Sequence, residues 1–126
     1  MPRSWAASSV FTIGSNVVRI SDAVIRDKPE LVRAVVKAAL RGMKDIMDDP
    51  DGAAKDFVKF VPEWQGKEAE VRSAFEYYAK HVYVGQKRLG EIDPRRLGKL
   101  QDFYLANGII QKKTPIGDLY TNAFIE

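Results

Sequence analysis

Residues 27–50 read DKPELVRAVVKAALRGMKDIMDDP, and this stretch decides the fold class. Val32, Val35, Val36, Ala39, Met43, Ile46 and Met47 recur at helical spacing and define one face of a helix over 29–47. Leu31 and Leu40 widen that face, while Arg33, Lys37, Arg41, Lys44 and Asp45 lie mostly elsewhere. Pro29 suits the first helical position, and Asp27 is placed to cap together with Glu30 three residues on. Asp48-Asp49-Pro50 stops this helix and starts another, with Asp49 as its expected cap.

The same logic extends toward the C-terminus. Ala53, Ala54, Phe57, Val58 and Val61 give a second apolar stripe, predicting a helix over 50–61 that Pro62 ends. Val71, Ala74, Phe75, Tyr78 and Val82 share a face of a third helix, over 67–82. Gly85 and Gly90 mark a loop. Asp93-Pro94 opens a fourth helix over 94–106, carrying Leu97, Leu100, Phe103 and Tyr104. Asn107-Gly108, residues that tolerate positive φ, close it, and Ile109-Ile110 can fold back on its last turn. In the tail, Leu119, Tyr120 and Phe124 are the expected anchors.

Toward the N-terminus the pattern changes. Val10–Ile20 reads VFTIGSNVVRI, rich in Val, Ile, Phe and Thr and interrupted by Gly14-Ser15-Asn16, so an extended segment with a bend is expected there. Ser21-Asp22 then opens a short turn of helix. The expectation is a mainly α chain, four or more helices after one extended segment, forming a single incomplete domain over 1–126. Residues 1–9 are expected to be disordered or a leader, and 21–126 to be helical. A lone strand leaves backbone donors and acceptors open, which points to a larger fold or a second copy.

Composition narrows the function classes. The chain has 126 residues, 45% apolar and 29% charged, which suits one globular domain. Its net charge is +3 and its pI about 9.2, but the excess is spread evenly: each quarter of the chain carries four to six cations against three to five anions. No basic arm for nucleic acid emerges. With no Cys there is no disulfide, thiolate zinc site or Cys nucleophile, and one His excludes a multi-His metal site. Arg33 and Lys37 break the most apolar stretch, so no membrane span is expected. MPRSWAASSVFTIG lacks a sustained apolar run and is not expected to act as a signal peptide.

No motif assembles a catalytic centre, and no enzyme activity, metal or cofactor is expected. His81, late in a helix, reads as a surface or capping residue. No serine has a base partner at recognisable spacing, and Gly14-Ser15-Asn16 lacks the Lys and glycine spacing of a phosphate loop. Asp48, Asp49 and Asp51 lack the distal Glu of a calcium loop and read as helix caps. Arg95-Arg96 and Lys112-Lys113 are too short for a nucleic-acid footprint. Tyr77-Tyr78, Tyr83, Phe103 and Tyr104 sit at helical spacing and read as core.

Several strings, taken in order, resemble the C-terminal part of a substrate-binding protein of ABC importers. They are Ile25-Arg26-Asp27-Lys28-Pro29-Glu30-Leu31-Val32, Ala39-Leu40-Arg41-Gly42, Asp49-Pro50-Asp51-Gly52-Ala53-Ala54, Asn107-Gly108-Ile109-Ile110 and Leu119-Tyr120-Thr121-Asn122-Ala123-Phe124. The subgroup serves thiamine pyrimidine precursors, taurine, alkanesulfonates and nitrate, and the resemblance covers about residues 9–126. It implies a piece of a two-lobed α/β fold, with the signal peptide, most of the first lobe and the second lobe expected to be absent from this stretch. It also implies non-covalent capture of a small organic solute, delivery to a membrane permease, and a periplasmic location for the intact family.

The resemblance places the bend near the crossing between lobes, which makes Ser15 and Asn16 the candidate ligand contacts. Gly14 beside them permits close backbone approach. Phe11, Ile13, Val17, Val18 and Ile20 want cover on both faces of the extended segment, so a homodimer through that segment is expected. The alternative is a free-standing helical interaction module whose basic pI attracts an acidic partner.

Overall fold

Pro29 sets the first turn of the longest helix in the computed structural model, which describes residues 18–125. Within them the elements are α1 (Asp22–Asp27), α2 (Pro29–Asp48), α3 (Pro50–Phe60), α4 (Glu68–Tyr77) and α5 (Pro94–Ala106). Single 3₁₀ turns occur at Pro62–Trp64 and Ile116–Asp118. No strand occurs among the described residues. The expected helices over 29–47, 50–61 and 94–106 are all present with bounds within one residue. Of the expected extended segment over 10–20, Val18–Ile20 are described and are neither helix nor strand, while 10–17 lie outside the described residues.

Local chemistry explains the helix starts. Ser21 Oγ accepts from the Val24 N–H at 3.3 Å and caps α1. Asp49 accepts from the Gly52 N–H at 3.0 Å and caps α3, and Asp93 accepts from the Arg95 N–H at 2.9 Å and caps α5. Each satisfies a donor that a helix N-terminus leaves without an intrahelical partner.

The expected Asp27 cap needs correction. Asp27 is the last residue of α1, and its carboxylate accepts from Arg26 Nε at 2.8 Å. Lys28 occupies the N-cap position of α2 and makes no side-chain cap bond. Its N–H closes α1 on the Val24 carbonyl at 2.9 Å. With one residue between two helices, there is no length of chain in which Asp27 could turn back. Glu30 pairs with Arg33 instead, at 3.5 Å.

The third expected helix, over 67–82, is α4 followed by one π-helical turn, Tyr78–Val82. The Tyr83 N–H reaches the Tyr78 carbonyl at 2.9 Å, five residues back. The widened turn brings the Tyr83 ring to 5.5 Å from that of Tyr78.

α2, α3 and α4 pack on one another around Val32, Ala54 and Val71, which are 3%, 0% and 4% exposed. Phe57 bridges the α3–α4 seam, edge-on to Phe75 at 5.7 Å and to Trp64 at 6.4 Å. This is a thin core. Much of the remaining tertiary structure is held by three side-chain amides. Gln86 donates to the Tyr83 carbonyl at 2.9 Å and accepts from the Gly90 N–H at 2.8 Å, folding the loop after the π turn against Met43 of α2. Gln101 and Asn122 hold the segments that follow.

Candidate functional site

A groove of about 260 Å³ lies alongside α5. Leu97, Leu100 and Tyr104 form its helical wall, and Ile110, Lys112, Thr114 and Leu119 come from the chain after the helix. Gly108 (φ 68°) turns the chain back, and the Ile109 N–H returns to the Tyr104 carbonyl at 2.9 Å, as the Asn107-Gly108 signal predicts. At the base Gln101, only 9% exposed, accepts from the Thr114 N–H at 2.8 Å and donates to the Thr114 carbonyl at 3.0 Å.

That pairing uses both ends of the Gln101 amide. The groove is therefore a largely apolar, half-open surface with Lys112 and Thr114 among its lining residues, and it offers no acid–base pair. Gln101 was not legible as a site residue: in sequence it is one amide on a helix whose apolar stripe does not include it.

Several acidic side chains elsewhere serve helix ends and ion pairs. Asp48 pairs with Lys44. Asp51 pairs with Lys55 at 2.9 Å and lies 3.6 Å from Arg72. The hydrogen bond from Lys55 is the main reason its carboxyl titrates below the ordinary range, with Lys55 and Arg72 charge adding to it. The Asp93 carboxyl is also lowered, chiefly by its side-chain hydrogen bond with Arg95 and then by the Arg95 N–H. Burial pushes the Tyr83 hydroxyl up. No cluster of His, Cys, Asp and Glu able to hold a metal ion occurs among the described residues.

His81 lies in the π turn, exposed, with its ring 4.7 Å from that of Tyr77, itself 60% exposed. Ser15 and Asn16, the candidate ligand contacts, lie outside the described residues. No helix among the described residues is long and apolar enough to cross a membrane.

Comparison with known proteins places the chain. Residues 4–53 match the family model described as NMT1/THI5 like. The riboflavin-binding protein RibY of Chloroflexus aurantiacus is 29% identical over 123 residues, which is 94% of this chain and 35% of that protein. The chain thus spans about a third of the length of the relative it matches. No solved structure matches. The family model covers α1 and α2, where the strings that carried the resemblance begin, and the longer alignment takes in most of the remaining chain. Over residues 4–53 the chain is similar to the NMT1/THI5-like family of ABC-transporter substrate-binding proteins, and over most of its length to a riboflavin-binding protein.

Proposed function

We propose that this chain is the helical C-terminal part of a solute-binding component of an ABC importer. It works without chemistry, by non-covalent capture of a small organic solute that a membrane permease then receives, and the intact protein acts in the periplasm. The observation that carries this reading is the alignment of 94% of the chain with a protein named for binding riboflavin. A flat heteroaromatic solute of that class is the proposed ligand. Residues 1–126 then form one incomplete domain, and Ser15 and Asn16, in the segment before α1, are the proposed polar contacts to the solute.

Binding sites of this class need shape, apolar contact and a few oriented polar groups rather than a matched acid and base. In the isolated chain, the apolar residues of 10–20 are proposed to pair with a second copy; Val18, at the described edge of that segment, is 56% exposed. Sedimentation equilibrium tests that pairing, and a monomer near 14.2 kDa at micromolar concentration would defeat it.

The functional reading is tested in a chimera in which this chain replaces the matched third of the C. aurantiacus protein. Riboflavin fluorescence is expected to be quenched saturably, and Ser15→Ala with Asn16→Ala to weaken the affinity. A chimera folded by circular dichroism that leaves flavin fluorescence unchanged overturns the reading.

A further inference from the structure

α2 has two apolar faces, and among the described residues the chain packs on one. Val32 is buried, and Val36, Leu40, Met43 and Ile46 are half-buried, where α2 meets α1, α3, α4 and the loop after the π turn. The charged residues Arg33, Lys37, Arg41 and Lys44 occupy a separate stripe. Between them runs a second row at positions 31, 35, 38 and 42. Leu31 is 53% exposed, Val35 is 48% exposed, and Ala38 and Gly42 are exposed. A Cβ built on Gly42 meets nothing within 4 Å. A surface helix of a finished globular domain buries its apolar side and shows charge on the other. On this helix the main charged stripe lies elsewhere, and the row stays uncharged from Leu31 to Gly42, with the exposed Asp45 closing its C-terminal end.

We propose that the row Leu31, Val35, Ala38 and Gly42 is the seam on which the rest of a longer solute-binding polypeptide docks, so that α2 is an interior helix of the complete fold. The occupant is the part of the protein corresponding to the unmatched length of the relative. That protein aligns with 94% of this chain through only 35% of its own length, so most of it has no counterpart here. The row itself fits a broad, flat partner. Ala38 and Gly42 carry no long side chain, leaving Leu31 and Val35 to supply the contact area. A second copy is the poorer occupant, because four positions of which two are Ala and Gly are far too small for a stable interface of about 800 Å² on each partner.

The seam rests on the solute-binding reading, and its test is separate from flavin binding. The chain contains no Cys, so Val35→Cys and Lys37→Cys each place one thiol on α2, and maleimide labelling reports which is covered. In the isolated chain both thiols are expected to react at similar rates. In a cysteine-free chimera with the unmatched two-thirds of the C. aurantiacus protein, Val35→Cys is expected to slow by about tenfold or more while Lys37→Cys does not. Equal rates for the two thiols in the chimera overturn the seam. Slow labelling of Val35→Cys in the isolated chain also overturns it, since this chain or its second copy would then already cover the row. A second variant needs no chimera: Leu31→Glu with Val35→Glu is expected to leave the helicity and Tm of the isolated chain unchanged. A marked drop in Tm overturns the proposal. A chimera that protects Val35→Cys but leaves riboflavin fluorescence unchanged keeps the seam and removes the ligand reading.

Discussion

Asn122 and Ile92 hold each other by two hydrogen bonds thirty residues apart in sequence. The Ile92 N–H donates to Asn122 Oδ1 at 2.9 Å, and Asn122 Nδ2 donates to the Ile92 carbonyl at 3.0 Å. One side chain thereby acts as a strand would, satisfying both polar groups of one backbone residue. It pins the C-terminal tail beside the start of α5, and two residues later Phe124 lies 5.2 Å beneath the Arg33 guanidinium on α2. The tail therefore ties α5 to α2 through polar and cation–π contacts, where a larger core would have used apolar packing.

Removing this tie has a defined outcome. Asn122→Ala leaves both Ile92 groups without partners in a half-buried setting, and each unsatisfied group costs about 1–3 kcal/mol. Water reaching the opened tail reduces the sum. Chemical denaturation should show a loss of about 1–3 kcal/mol, and amide exchange in residues 119–125 should accelerate. Asn122→Asp should be no better, because its carboxylate keeps the bond from the Ile92 N–H but sets a second acceptor against the Ile92 carbonyl.

Gln101 makes the equivalent pair with Thr114, and the expected cost is smaller. Thr114 is exposed, so water can take over its N–H and carbonyl when the amide is lost. Gln101→Met keeps the side-chain volume at the base of the groove and removes only the two bonds; a loss of about 1 kcal/mol is expected. Gln101→Ala removes the volume as well and should cost more. Equal denaturation midpoints for the two variants would show that the groove base is set by packing elsewhere.

Gly90 and Gly85 separate two causes of glycine dependence. Both have positive φ, 82° and 78°. A Cβ on Gly85 meets nothing within 4 Å, whereas one on Gly90 would lie 2.3 Å from Leu40 Cδ2. Gly85→Ala should cost about 1 kcal/mol for the left-handed backbone alone. Gly90→Ala adds a clash with the end of the half-buried Leu40 side chain on α2, which must shift off its rotamer, and should cost about 0.5–1.5 kcal/mol more. Leu40→Ala in the Gly90→Ala background should recover part of that excess, and a double-mutant cycle with no coupling would refute the contact.

The helices were legible because their signals are local. Pro29, Pro50 and Pro94 stand at first positions, Ser21, Asp49 and Asp93 accept the orphan N–H groups, and Gly108 ends α5. Each of these depends on a few neighbouring residues. The Asp27 cap failed because whether a side chain can cap depends on how much chain separates two helices, and here that is Lys28 alone. Gln101 and Asn122 were not legible as organising residues, since their partners lie 13 and 30 residues away. A composition-level pattern carries no trace of such a pairing. The second apolar row of α2 was partly visible, with Val35 read as part of the one apolar face and Leu31 as widening it. That it is a separate face follows only from which side α3 and α4 take.

Asp93 gives the last prediction, a pH dependence local to α5. Its carboxylate caps the helix through the Arg95 N–H and also meets the Arg95 guanidinium, with Nε at 3.3 Å from Oδ1. These bonds favour the charged form, so the folded-state pKa lies below the ordinary Asp value. A group depressed on folding adds stability that is fully present above its unfolded pKa and is lost as pH falls through its folded pKa. The window therefore opens below about pH 4. Protonation removes the ion pair with Arg95 and weakens the cap, so amide exchange in the first turn of α5 should rise in that window before the α2–α3–α4 packing is lost. Asp93→Asn retains a neutral capping oxygen and should abolish this local acid transition while leaving α5 formed at pH 7. Acid fraying of the first turn of α5 that persists unchanged in Asp93→Asn would assign the transition to another carboxylate.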